Sequence, residues 1–170
     1  MQLQFWGATD TGRKRKSNQD HYLIDPDLGL AVVADGVGGL ARGEVASELA
    51  ARVVREHLAR NHVLLDTFLQ LPTQPNRIKV TSCVREAVQN ASNEVFRAGK
   101  VLAEGRGMSC TMEVLVVLGR TGFLAHVGDS RTYLVRGGEA FQLTEDHSVI
   151  QEKVRKGLMT PEEAAKARGR

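Results

Sequence analysis

An α+β fold, with helices packed on antiparallel sheet faces, is predicted by three features of this 170-residue sequence. Strand-like segments come first, two long helical segments follow together, and strands then resume before two short helices at the end. That grouping differs from the regular alternation of strand and helix that winds a parallel sheet. The later strands are joined by glycine-containing turns, Gly119-Arg120-Thr121-Gly122 and Gly137-Gly138, as hairpins are.

Each element follows from local pattern. Leu3–Thr9 reads as a first strand, and Tyr22–Ile24 as a short second one after a polar turn. Leu30–Ala34 is a continuous apolar run, expected to be buried on both faces or against helices. Glu44–Asn61 carries Val45, Leu49, Ala50, Val53, Val54 and Leu58 at near-helical period, with charges on the other face. Its glycine-rich start leaves backbone N–H groups able to face an anion. Leu64–Leu71 reads as a short helix ended by Pro72 and Pro75. Arg77–Val101 has Val80, Val84, Ala87, Val88, Ala91, Val95 and Phe96 at spacings of three and four, a second long helix that Gly105 and Gly107 break. Ser109–Leu118, Phe123–Val127, Thr132–Val135 and Ala140–Leu143 then form a four-strand meander. His147–Lys156 and Pro161–Arg168 are the closing helices, with Pro161 suited to a first turn.

Composition narrows the class. With 42% hydrophobic, 25% charged and 5% aromatic residues, residues 1–170 suit a single domain with one substantial core. The net charge is only +3, and the one dense basic cluster, Arg13-Lys14-Arg15-Lys16, lacks interleaved aromatics. Such a patch suits a phosphate-bearing substrate better than a nucleic-acid duplex, and a solvated turn is the plain alternative. Cys83 and Cys110 show neither a CxxC pair nor zinc-type spacing, so reduced thiols are expected. No stretch approaches the ~20 apolar residues of a membrane span, and the N-terminus has no charged leader pattern. A soluble, cytoplasmic chain without membrane or nucleic-acid partners is the expectation.

The chemistry centres on Val32-Val33-Ala34-Asp35-Gly36-Val37-Gly38-Gly39. Here β-forming residues deliver one carboxylate to the end of a strand, and glycines let the backbone turn and approach a ligand closely. A charge at the end of an apolar strand is costly unless neutralised, and a metal ion does this well. Alternatively, Asp35 caps the glycine loop or the following helix. Two more acidic residues sit at turns or strand ends. Asp20 closes Arg15-Lys16-Ser17-Asn18-Gln19-Asp20, and Asp129 lies in Gly128-Asp129-Ser130-Arg131. Carboxylates and carbonyls suit Mg²⁺ or Mn²⁺, and the planar fork of Arg15 suits a phosphate. Singly, these residues are equally a strand cap, a turn former and a surface charge. Together they suggest metal-assisted phosphate hydrolysis.

These motifs, in order over nearly the whole chain, resemble the N-terminal portion of a bacterial metal-dependent protein phosphatase of the PPM (2C-type) family. The matching segments are Thr11-Gly12-Arg13, Arg15 with Asn18-Gln19-Asp20, Val33 to Gly39, Gly43-Glu44, Gly107-Met108 with Thr111, Val127 to Arg131, and Leu143 to Ser148. The resemblance implies an antiparallel β-sandwich flanked by helices. It implies that Asp35 bridges two core Mn²⁺ or Mg²⁺ ions and that Gly36 offers its carbonyl to one of them. Asp20 would act at the edge of that cluster through metal-bound water, and Asp129 would help to bind a third ion. Arg15 would hold the phosphate of phosphoserine or phosphothreonine while a metal-activated water attacks in line. Phosphoproteins, and a cognate serine/threonine kinase acting in opposition, are the implied partners. Cysteine chemistry has no part, and Cys110 reads as a small buried residue. His21, His57, His62, His126 and His147 read as surface or packing residues.

Four departures from the family pattern stand out. Family members continue with roughly a third more chain, which carries later aspartates of the core site. Gly107-Met108-Ser109-Cys110-Thr111 replaces a glycine-threonine version, Leu40 stands where many bacterial relatives have histidine, and Val37 occupies a eukaryotic histidine position. A C-terminally incomplete domain is therefore expected, with open strand edges and uncovered apolar faces that favour aggregation. Two other functions fit such a chain: a phosphatase-like module that binds without turnover, and a hydrolase of small phosphoesters.

Overall fold

A computed structural model of the chain describes residues 3–37, 42–102 and 107–168. It forms two compact units, Met1–His126 and Val127–Arg170. In the first, strands β1 (Asp20–Asp25), β2 (Leu30–Val37), β3 (Ser109–Cys110), β4 (Met112–Leu118) and β5 (Thr121–Val127) build one sheet, with α1 (Gly43–Arg60), α2 (His62–Gln70) and α3 (Gln74–Leu102) between β2 and β3. The strand order is β1-β2-β4-β5, and β3 also pairs with β2. β2 is antiparallel to β1, β3 and β4.

One face of this sheet is the core. Leu30, Val32 and Ala34 of β2 and Val114 and Val116 of β4 are at most 1% exposed. Against them pack Ala46, Ala50, Val54 and Leu58 of α1, with Val80, Val84, Ala87 and Ala91 of α3 completing the cluster. Small residues along α1 let the helix approach the sheet closely. Each Val or Leu buried here contributes about 1.5–3 kcal/mol. Glu44 in the first turn of α1 and Arg60 in the last complement its dipole. Arg55 reaches from α1 to Asp25 of β1, with Nε 2.7 Å from Oδ2.

The apolar run of β2 is thus buried against helices on one face only. Val33 and Val37 on the other face are 50% and 60% exposed. Leu3–Thr9, predicted as a strand, pairs with no other strand among the described residues and stays irregular. A β-prone segment becomes a strand only where a ladder partner exists. Pro75 begins α3 rather than ending α2, because proline near a helix start loses no intrahelical bond. The predicted strand Ser109–Leu118 is interrupted at Thr111, although the register with β2 continues unchanged from Leu30↔Val116 to Gly36↔Cys110. The predicted break at Gly105 and the residues Gly38, Gly39 and Leu40 lie outside the described residues.

Phe68 of α2 fills the end of this core. It is 1% exposed and meets Phe123 edge-to-face, with ring centroids 5.1 Å apart and an interplanar angle of 80°. Phe68→Ala is expected to lower unfolding free energy by about 3–5 kcal/mol, read from the urea midpoint. A loss under about 1 kcal/mol would contradict this packing.

The second unit holds β6 (Tyr133–Arg136), β7 (Glu139–Gln142), α4 (Val149–Arg155) and α5 (Pro161–Arg168). The expected meander therefore divides: β4 and β5 join the large sheet, while β6 and β7 form a separate hairpin turning on Gly137 and Gly138. Arg131 binds Asp146 through Nε and Nη2, both at 2.8 Å. Ser148 caps α4, its hydroxyl accepting from the Gln151 N–H at 3.1 Å. Thr160 and Glu163 form a reciprocal capping box ahead of α5.

Candidate metal and phosphate site

Strand register decides the site. Asp20 of β1 stands directly opposite Asp35 of β2. Directly opposed residues project from the same face with Cβ atoms about 4.5–5.5 Å apart, and like charges so placed repel. Strand alternation turns both carboxylates away from the helices, and both are exposed. β2 continues through Val37, so Asp35 lies within the strand and its backbone is held by the ladder.

The surrounding backbone is tightly tied. The Asp35 N–H donates to Thr111 Oγ1 at 3.1 Å, while the Thr111 N–H donates to the Asp35 carbonyl at 2.8 Å. Just before Asp20, the Gln19 carbonyl accepts from the Gly36 N–H at 3.0 Å and from the buried Ser47 hydroxyl at 2.7 Å. One oxygen thereby joins β2, α1 and the entry to β1. Gly36 is buried there, and a Cβ on it would meet the backbones of Gly43 and Gln19. Asn18 accepts from the Asp20 N–H at 3.0 Å and donates to Thr9 Oγ1 at 2.8 Å. The Thr9–Asn18 bond closes the intervening loop. Inside it, Asp10 accepts from the Gly12 N–H at 2.7 Å, and Gly12 adopts φ +72°, which glycine takes without Cβ strain.

This loop and the carboxylate pair line one cleft of about 480 Å³, in which Arg13, Lys14 and Arg15 accompany Asp20 and Asp35. Arg15 is exposed and takes part in none of the ion pairs found among the described residues. Gly36 is not among the cleft-lining residues. The donor set suits a hard divalent cation: two opposed carboxylates that repel when empty-handed and are relieved by positive charge between them. No group of three or more His, Cys, Asp or Glu side chains gathers for a metal among the described residues.

Asp129 belongs to the second unit, where it is exposed in the Gly128–Arg131 loop. The His147 N–H donates to the Gly128 carbonyl at 2.7 Å, and the Gly128 N–H donates to His147 Nδ1 at 3.3 Å. With the Arg131–Asp146 fork, these bonds hold the loop from both ends.

Cys110 is unsuited to nucleophilic attack. Burial, with the nearby Asp35 carboxylate adding to it, pushes its thiol up to about 11. Among the histidines, His57 faces Asn90, His126 lies 3.3 Å from Glu113, and His147 supports Gly128. Burial lowers the pKa of His57. Of the supporting residues, Gln19 and Thr111 stand in sequence motifs that the family resemblance marks, without a role of their own, while Thr9 and Ser47 carry no such mark. Ser47 has a local signal, a hydroxyl on the otherwise apolar buried face of α1.

Comparison with known proteins places these features in a family. The family model described as Protein phosphatase 2C matches residues 10–160. Protein phosphatase PhpP of Streptococcus pneumoniae is 36% identical over 163 residues, covering 92% of this chain and 60% of that protein. Serine/threonine phosphatase stp of Listeria monocytogenes is 30% identical over 159 residues, covering 92% and 59%. The solved serine/threonine phosphatase of S. agalactiae superposes with a TM-score of 0.75 at 32% identity, covering 93% of this chain and 62% of that one. The catalytic domain of the phosphatase PstP, solved with two manganese ions, gives a TM-score of 0.67 at 34% identity, covering 91% and 60%. This chain thus spans about 60% of the length of the curated relatives it matches. With a match running from residue 10 to residue 160, the chain belongs to the protein phosphatase 2C family.

Proposed function

We propose that the chain carries the phosphate-binding and part of the metal-binding apparatus of a protein serine/threonine phosphatase. The observation that carries this reading is the Asp20–Asp35 pair, opposed in register and sharing a cleft with Arg15. Asp20, Asp35 and the Gly36 carbonyl hold core Mn²⁺ or Mg²⁺ ions, and Asp129 ligates a further one. PstP, solved with two manganese ions, supports manganese as the first metal to test. Bound there, a divalent cation neutralises phosphoryl charge and lowers the pKa of water into the neutral range. Arg15 binds the phosphoryl oxygens through its fork, holding the phosphoester beside the carboxylates. The ladder bonds of Asp35 and the carbonyl of Gln19 keep the two acids in place while the substrate changes. No side chain forms a covalent intermediate.

The family match crosses both units, which supports a single phosphatase domain as their parent. Phosphoproteins are the substrates, a serine/threonine kinase opposes the reaction, and the cytoplasm is its place. Membranes and nucleic acids are not partners; no helix among the described residues is long and apolar enough to cross a membrane. The test is Mn²⁺ titration by calorimetry, followed by Mn²⁺-dependent phosphate release from a phosphothreonine peptide. Saturable Mn²⁺ binding with release supports the proposal, and absence of Mn²⁺ binding overturns it.

A further inference from the structure

A single arginine fork matches one phosphoryl group, yet this cleft offers more cations than that. Arg13 and Lys14 line it together with Arg15. All three are exposed, and none joins an ion pair found among the described residues, whereas Arg55 and Arg131 each rest on an aspartate. The four cations from Arg13 to Lys16 exceed the chain's net charge of +3, so the remainder is slightly acidic and the positive potential concentrates here. The loop is also ordered in advance, by the Thr9–Asn18 bond and the Asp10–Gly12 turn. The loop backbone that carries these cations therefore needs little further ordering to meet a ligand.

We infer that Arg13 and Lys14 form an anion subsite beside Arg15 that selects phosphorylated peptides whose neighbouring residues are acidic. The inference rests on reading Arg15 as the phosphate grip. Carboxylates one or two residues from a phosphoresidue lie within about 4–7 Å along an extended peptide. Arg13 and Lys14 stand in the turn just before Arg15, so the chain keeps both within the same short reach of it. A nucleic acid fits less well. No aromatic residue lies between residues 7 and 21 to stack on a base.

The test uses fluorescein-labelled peptides carrying a hydrolysis-resistant phosphonate analogue of phosphothreonine, flanked by Glu, Ala or Lys. Their binding to the full chain with Mn²⁺ is followed by anisotropy. The Glu-flanked peptide is expected to bind about tenfold more tightly than the Ala-flanked one at low salt. That ratio should shrink towards one at about 1 M salt, where charges beyond about 3 Å are screened. It should also fall to near one in Arg13→Gln/Lys14→Gln, whose folding is checked by circular dichroism. Equal binding of the three peptides, or a ratio that survives the double substitution, overturns this inference alone. Failure of every peptide to bind, with Arg15→Gln no different, overturns the phosphate reading of Arg15 as well.

Discussion

Asp35→Asn is expected to abolish Mn²⁺ binding and Mn²⁺-dependent phosphate release while leaving the chain folded. Asparagine keeps one carbonyl oxygen but loses the charge that a hard cation requires. Substitutions that merely support a metal ligand cost about 10–100-fold in affinity or activity, so removing the ligand charge should cost at least about 100-fold. The fold should persist because the bonds between Asp35 and Thr111 use the Asp35 backbone, and the side chain is exposed. Asp20→Asn should be milder, about tenfold, since Asp35 remains. It also relieves the like-charge opposition across β1 and β2, so the melting temperature of the metal-free chain should hold or rise. Calorimetry with Mn²⁺, phosphate release and thermal melting check each part. An Asp35→Asn chain retaining more than about a tenth of its metal affinity would contradict the assignment.

Gly36→Ala is expected to damage stability and the site together. A Cβ there would overlap the Gly43 carbonyl, and it would lie 2.6 Å from the Gln19 carbonyl oxygen. Both obstacles are backbone, which cannot swing aside as the tip of a side chain can. The Gln19 carbonyl also accepts from Gly36 and Ser47, so shifting it disturbs β2, α1 and the start of β1 together. A loss of about 3 kcal/mol is expected, at the upper end of overpacking costs, with weakened Mn²⁺ binding because Asp20 follows Gln19 directly. Gly12→Ala is the control. Nothing lies within 4 Å of a Cβ at that position, and its cost is the torsional strain of φ +72°, about 1–2 kcal/mol. Urea midpoints separate the two effects. Tolerance of alanine at Gly36 with full metal binding would show that the three backbones do not meet so closely.

What was readable from sequence divides along a physical line. The helices α1 and α3 were legible almost to their ends, because the three-and-four spacing of Val80, Val84, Ala87 and Ala91 is local. Asp35 stood out for the same reason, as a carboxylate reached by a run of β-formers and followed by glycine. Leu3–Thr9 carried a strand-like composition and found no ladder, since pairing depends on a distant partner. The four later strands looked alike in sequence, yet Met112–Val127 joined the large sheet and Tyr133–Gln142 folded on itself.

The candidate site divides in the same way. The order of residues supplies the groups: Arg15 among three other cations, Asp20 and Asp35 near strands, and Asp129 between glycine and serine. Folding is what sets Asp20 opposite Asp35, brings both into a cleft with Arg15, and wedges Gly36 between the backbones of Gln19 and Gly43. Residue type and short-range period are properties of neighbours in the chain. Register and close approach arise only when segments far apart in sequence, such as 18–20, 35–36 and 43–47, are brought together by a shared core.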